Sequence, residues 1–181
     1  AFFFFFYADG MMKLPPVERF VTSNGIQVVC IRDELPKITI SASVCAGYLY
    51  ETAANAGITD LSARLLNMGG TAKHPQEALD RLVDSTGSRY SVRPDWETVT
   101  VSFQALDEYS DLACGTVAGI LREPAFDEKQ FELARSLVLE KIRREDQDPF
   151  AAAYGKARQT LFDGKGYGVR ATESSVSSLS L

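Results

Sequence analysis

The chain has 181 residues, 45% of them hydrophobic and 24% charged, the balance of a globular protein with enough chain to bury one core. A formal net charge of -5, with no extended Lys/Arg cluster, speaks against nucleic acid as a partner. No apolar run approaches the ~20 residues that a membrane-spanning helix needs.

Residues 1–16 read as a tail ahead of one domain over 17–181, in which no repeat or linker stands out. Five consecutive Phe followed by Tyr7-Ala8-Asp9 match the end of a signal-peptide apolar region, but the basic segment that completes a signal is missing. A cloning scar, or a start wrongly set ahead of Met11-Met12, therefore stands beside a signal remnant. The compartment follows that choice: periplasmic or secreted with a signal, cytoplasmic without one.

Asn24-Gly25 is a turn dipeptide leading into a strand over 26–31, and Glu34-Leu35-Pro36-Lys37 is the next turn. A longer strand rich in Ile, Val and Tyr runs over 38–50. Cys30 and Cys45 then fall on neighbouring strands, yet a turn centred near Pro36 sets Cys30 opposite residue 42, off register for a disulfide. With Cys114 they make three cysteines at no metal-like spacing, read as buried free thiols.

A helix over 57–68 carries Ile58, Leu61, Leu65 and Met68 at helical spacing, with Gly69-Gly70 as its stop. Asp60 and Arg64 share one face of it; as an exposed pair they contribute ~0.2–0.5 kcal/mol. His74-Pro75 opens a second helix with Pro at its first position, Leu79, Leu82 and Val83 inward and Gly87 at its end. His74, the single histidine of the chain, reads as a cap or surface residue.

Strands over 89–92 and 98–106 joined through Arg93-Pro94-Asp95-Trp96 form a hairpin. A helix over 108–121, with Tyr109, Leu112, Thr116 and Ile120 on one side, breaks at Arg122-Glu123-Pro124. Asp127 caps a long helix to about residue 145, with Gln130 placed for a capping box. Its apolar row runs through Leu133 and Leu137, and Glu140 continues that row. A carboxylate there needs a partner, for which Arg144 and Arg64 are candidates. Asp148-Pro149 starts a further helix with Phe150, Tyr154, Ala157 and Leu161 inward and Gly164 as its cap. Thr172-Glu173-Ser174-Ser175-Val176 starts a short one. Strand pairs and helices in blocks, without strict β-α-β alternation, indicate an α+β fold.

Several stretches, taken in order, carry a family pattern: Asn24-Gly25-Ile26-Gln27-Val28-Val29, Ala46-Gly47-Tyr48-Leu49-Tyr50-Glu51, the helix after Gly57, Gly69-Gly70-Thr71, Asp146-Gln147-Asp148-Pro149-Phe150 and Gly166-Tyr167-Gly168. Over 17–181 they resemble the N-terminal domain of the pitrilysin/insulinase-type zinc peptidases, the inverzincins. The resemblance implies a mostly antiparallel sheet with helices packed on one face, truncated here, because the family's domain continues and a second of the same shape follows. The family's first helix carries H-x-x-E-H, whose two His bind zinc while the Glu activates the metal-bound water. Laid onto this chain, the His positions fall on Asp60 and Arg64 and the Glu on Ala63, so all three are replaced. The later Glu of such a site falls on Glu140 and is retained. One carboxylate cannot hold a catalytic zinc, which takes three protein ligands plus water. With one histidine, the chain has no two-His site.

The resemblance thus implies a non-catalytic homologue without a metal or cofactor of its own. In two-subunit bacterial members and in the mitochondrial processing peptidase, a motif-less subunit pairs with a homologue bearing intact H-x-x-E-H and zinc. There it helps to bind peptide substrate and completes the closed chamber. By the same resemblance Ser91, Val92 and Arg93 lie on the edge strand that receives extended substrate; Pro94, Arg89 and Arg93 also suit a blunted edge. The Arg64 guanidinium is expected where zinc would lie, between Asp60 and Glu140. Two other readings stand. One is a purely structural subunit like the core proteins of respiratory complex III. The other is an active metalloendopeptidase with altered ligands, Asp60 and Glu140 holding a hard cation such as Mg²⁺, which Arg64 opposes.

Overall fold

A computed structural model describes residues 15–32 and 34–181, so the reading of residues 1–16 lies almost wholly outside the described residues. The chain divides into two compact units, residues 1–36 and 37–181. In the first, β1 (Val17–Val21) and β2 (Gln27–Ile31) form an antiparallel hairpin in which Val17 faces Ile31 and Val21 faces Gln27. Its turn closes when Gly25 donates to the Thr22 carbonyl at 2.9 Å. Gly25 has φ +86°, a conformation that suits glycine. Within the first unit β2 pairs with β1, and Cys30 lies in that unit while Cys45 lies in the second. All three cysteines are free, as expected, but Cys45 and Cys114 are exposed and Cys30 half-buried.

The second unit begins with β3 (Lys37–Val44), which stops six residues earlier than its composition suggested. After it, Gly47 lies so close to the turn between β4 (Arg89–Pro94) and β5 (Val99–Leu106) that a Cβ would strike the Asp95 carbonyl. The chain therefore leaves the sheet and makes a 3-10 turn at Tyr48–Tyr50. The sheet is antiparallel in the order β3-β5-β4. On β5, Val99, Val101, Phe103 and Ala105 alternate and are all buried. Hydroxyls hold the opposite face, with Ser41 to Ser102 at 3.0 Å and Ser43 to Thr100 at 2.9 Å.

Helices cover only the apolar face, which makes this the expected α+β arrangement. Leu79 and Val83 of α2 (Gln76–Ser85) and Ala113, Val117 and Ile120 of α3 (Ser110–Arg122) pack there with Ala63 of α1 (Ile58–Met68). Pro75 stands just ahead of α2, not inside it. A second apolar cluster lies on the other side of α1. There Leu61 and Leu65 meet Phe131, Ala134, Val138 and Ile142 of α4 (Glu128–Gln147) and Val176 of α6 (Glu173–Ser177). α1 is thus held between two cores.

Two helix faces differ from expectation. On α4 the inward row is 131-134-138-142, and Leu133 is 49% exposed. Asp127 caps this helix through the Lys129 amide at 2.6 Å, but Gln130 completes no capping box, and its Oε1 is buried without a partner among the described residues. α5 (Pro149–Leu161), capped by Asp148 as expected, has no buried residue. Its row of Phe150, Tyr154 and Leu161 faces outward at 81%, 57% and 76% exposure, while Gly155 and Arg158 face the rest of the unit. Helical spacing tells which residues share a face, and packing decides where that face points. No helix among the described residues is long and apolar enough to cross a membrane.

Candidate functional site

The site is built on the first turn of α1. Gly57 sits at its N-cap with φ +98°, so no side chain of its own can cap the helix. Glu51, only 7% exposed, does so from outside: its Oε2 accepts from the Gly57 amide at 3.1 Å and its Oε1 from the Thr59 amide at 2.9 Å. A carboxylate there satisfies amides that a helix leaves unpaired and meets the positive end of its dipole. Ser175 of α6 donates to the Ala56 carbonyl at 2.8 Å, tying the preceding residue down as well. Asp60 is thereby fixed on the next helical position.

Both carboxylate oxygens of Asp60 are engaged. Tyr48 donates its hydroxyl to Oδ1 at 3.0 Å, and Lys141 of α4 donates its ammonium to Oδ2 at 2.6 Å. Lys141 also lies 3.9 Å from Glu145. Burial, followed by the Asp60 charge and hydrogen bond, pushes the Tyr48 hydroxyl pKa well above its ordinary range. The Tyr48 ring meets Trp96 edge-on at 5.5 Å, and the Arg158 guanidinium stacks 4.0 Å over the Trp96 ring. Arg158 also donates to the carbonyls of Tyr167 and Val169.

These groups line a cleft of about 190 Å³ between α1, α4, the β4–β5 turn and the segment after the 3-10 turn Gly166–Gly168. Acidic Glu51, Asp60 and Glu145 face basic Lys141, Arg158 and Arg170 across it. Each base is already occupied: Lys141 by Asp60, Arg158 by two carbonyls and a ring, Arg170 by Asp146. Every base lining the cleft thus already has a partner.

This donor set does not fit zinc. Among the described residues no group of three or more His, Cys, Asp and Glu side chains could hold a metal ion. Asp60 is bonded to an ammonium, and Ala63, onto which the resemblance lays the general base, is 2% exposed inside the sheet core. The expected arrangement of Arg64 between Asp60 and Glu140 is not formed. Arg64 makes no ion pair with either among the described residues, and its Nε is buried without a partner. Glu140 is exposed and lies one position away from the side chain that reaches α1. The cation beside Asp60 is Lys141. Counting along α4 from Leu133 and Leu137 missed it by one residue, because the inward row starts at Phe131.

On β4, Ser91 pairs with Ser102, Val92 is 4% exposed in the core and Arg93 is exposed. The outward backbone of Val92 is taken by Asn67 of α1, which accepts from its amide at 2.8 Å and donates to its carbonyl at 2.7 Å. Tyr90 adds a bond to the Asn67 carbonyl at 2.9 Å. One residue pair further on, Pro94 has no N–H to offer. Sequence reasoning missed this clasp; an Asn inside a helix, where its short polar side chain competes with the backbone, is the signal that could have pointed to it.

Comparison with known proteins places this geometry. The family described as Insulinase (Peptidase family M16) matches residues 27–168. The Bos taurus protein named Cytochrome b-c1 complex subunit 1, mitochondrial, is 23% identical over 158 residues, covering 87% of this chain and 33% of that protein. The crystal structure of a peptidase M16 inactive domain from Pseudomonas fluorescens superposes with a TM-score of 0.82 at 19% identity, over 91% of this chain and 41% of that one. A protease from Helicobacter pylori gives 0.83 at 20% identity, over 93% and 41%. At such identities the structural likeness establishes the fold. The chain spans a third of the bovine protein's length and 41% of each solved chain.

Proposed function

The chain belongs to the insulinase family, peptidase family M16, and we propose that it is a non-catalytic member acting beside a homologue with intact H-x-x-E-H in peptide proteolysis. One observation carries the reading: the Lys141 ammonium is bonded to Asp60 at 2.6 Å, where catalysis in this family needs a metal. Zinc would then reside in the partner subunit. The role left to this chain is to help hold peptide or regulate its partner. For a peptide to add as a strand beside Ser91, Val92 and Arg93, Asn67 must release the Val92 backbone. The aromatic and charged cleft around Trp96 offers a second contact surface.

A purely structural assembly subunit is the competing reading, favoured by the match to a bovine subunit of the cytochrome b-c1 complex. Affinity purification of the full-length protein from its source, with mass-spectrometric identification of what accompanies it, separates the two. The expected result is a near-stoichiometric homologue carrying H-x-x-E-H. A stoichiometric assembly in which no subunit carries that motif would instead establish the structural role.

A further inference from the structure

We propose that a cavity beside α3, sharing no residue with the cleft between α1 and α4, is a binding site for phosphate or a small phosphate monoester. The cavity holds about 240 Å³ between α3 and the turn at residues 71–74. Two glycines on α3 open it. At Gly119 a Cβ would come within 2.9 Å of the Thr71 side chain, so the glycine lets the turn lie this close to the helix. At Gly115 nothing stands within 4 Å of such an atom, which leaves the space beside the helix free. Hydrogen bonds fix the turn at the C-terminal end of α3. Thr71 donates its amide to the His74 carbonyl at 2.8 Å, and Ala72 donates to the Glu123 carbonyl at 2.8 Å.

The polar lining is unspent. Thr116 is 4% exposed, and its hydroxyl is buried without a partner among the described residues. A buried hydroxyl left unpaired is unfavourable, so its partner comes from outside the chain. Thr71, also 4% exposed, accepts from the His74 amide at 3.1 Å and donates its hydroxyl hydrogen to no described residue. Lys73, Arg122 and the half-buried His74 line the same cavity. Neither Lys73 nor Arg122 is in an ion pair among the described residues.

Charge and donor count choose the ligand. Acidic Asp111 and Glu123 also line the cavity. Asp111 belongs to the first turn of α3 and Arg122 to the last, about 16 Å away by helical rise. Near Arg122, two permanent cations outweigh Glu123 and the roughly half negative charge of the helix end, and protonated His74 adds to them. Three bases and two hydroxyls offer more donors than a carboxylate can use. They suit a phosphate, with its three terminal oxygens and higher charge.

His74 is the single histidine of the chain, so its ring protons report on this site without ambiguity in an NMR titration. The whole chain is titrated in pH with inorganic phosphate and with chloride at matched ionic strength. Phosphate is expected to raise the His74 midpoint by about 0.5 or more, saturating at millimolar concentration, because a bound anion favours the imidazolium. Thr116→Val puts a methyl where the unpartnered hydroxyl stands. It is expected to melt within about 2 °C of wild type and to bind phosphate ~10-fold more weakly. Lys73→Gln, at an exposed position, is expected to weaken phosphate to a similar degree. Equal midpoints in chloride and phosphate, or a phosphate affinity unchanged in either variant, overturns the proposal. Should Thr116→Val not fold, Lys73→Gln decides alone.

Discussion

Replacing Ala63 by Glu, the residue type the family uses as general base, is expected to destabilise this chain by about 4 kcal/mol at neutral pH. Ala63 is 2% exposed and packs with Leu79, Val92 and Phe103 on the sheet face of α1. A carboxylate there loses water, gains no paired cation and must push aside close-packed neighbours. Burial would raise its pKa in the folded state above the unfolded value, so the folded form keeps a proton that the unfolded form releases. The deficit is therefore smallest near pH 4 and grows as the pH rises through the unfolded pKa towards the folded one. Urea unfolding of wild type and Ala63→Glu at acidic and neutral pH measures both effects. A variant within about 1 kcal/mol of wild type at pH 7 would mean that position 63 opens to solvent. The triple replacement Asp60→His, Ala63→Glu, Arg64→His is accordingly expected to lose the fold before it gains an enzyme.

Glu51→Ala carries the second large effect, about 3 kcal/mol in the same assay. Its carboxylate closes the start of α1 through two amides, at 3.1 and 2.9 Å, where Gly57 can offer no cap of its own. Removing it leaves two buried donors unpaired beneath a helix that serves both cores. Glu51→Gln keeps an acceptor for one amide and should fall about halfway between. Tyr48 and Asp60 depend on the same turn, so the Tyr48 hydroxyl should titrate closer to its ordinary pKa in Glu51→Ala, which a spectrophotometric pH titration reads directly. Equal stability of wild type and Glu51→Ala would show that α1 does not rely on this cap.

The α+β class, α1 with its glycine stop, the Asp148 cap and the helix start at Thr172 were all legible from local chemistry. The last three rest on residues within one turn or one helix, where spacing and capping act, and the class on strands and helices coming in blocks. What stayed hidden depends on packing between distant segments. Leu133 and Leu137 and the row Phe131-Ala134-Val138-Ile142 are both apolar, and packing against Leu61 and Leu65 of α1 and Val176 of α6 chooses between them. That choice turns α4 by one position and brings Lys141, not Glu140, to Asp60. α5 shows the same limit: its apolar row is real, but it points outward. The Asn67 clasp on Val92 joins residues 25 apart and depends on α1 lying beside β4.

The most direct measurement is hydrolysis of an unstructured peptide by the purified full-length protein supplied with equimolar zinc, alone and mixed with its co-purifying homologue. The account predicts no cleavage above buffer by this protein alone, and chelator-sensitive cleavage by the mixture that exceeds the homologue's own. Chelator-sensitive cleavage by this protein alone would contradict it, because the Asp60–Lys141 pair would then have to yield to a working metal.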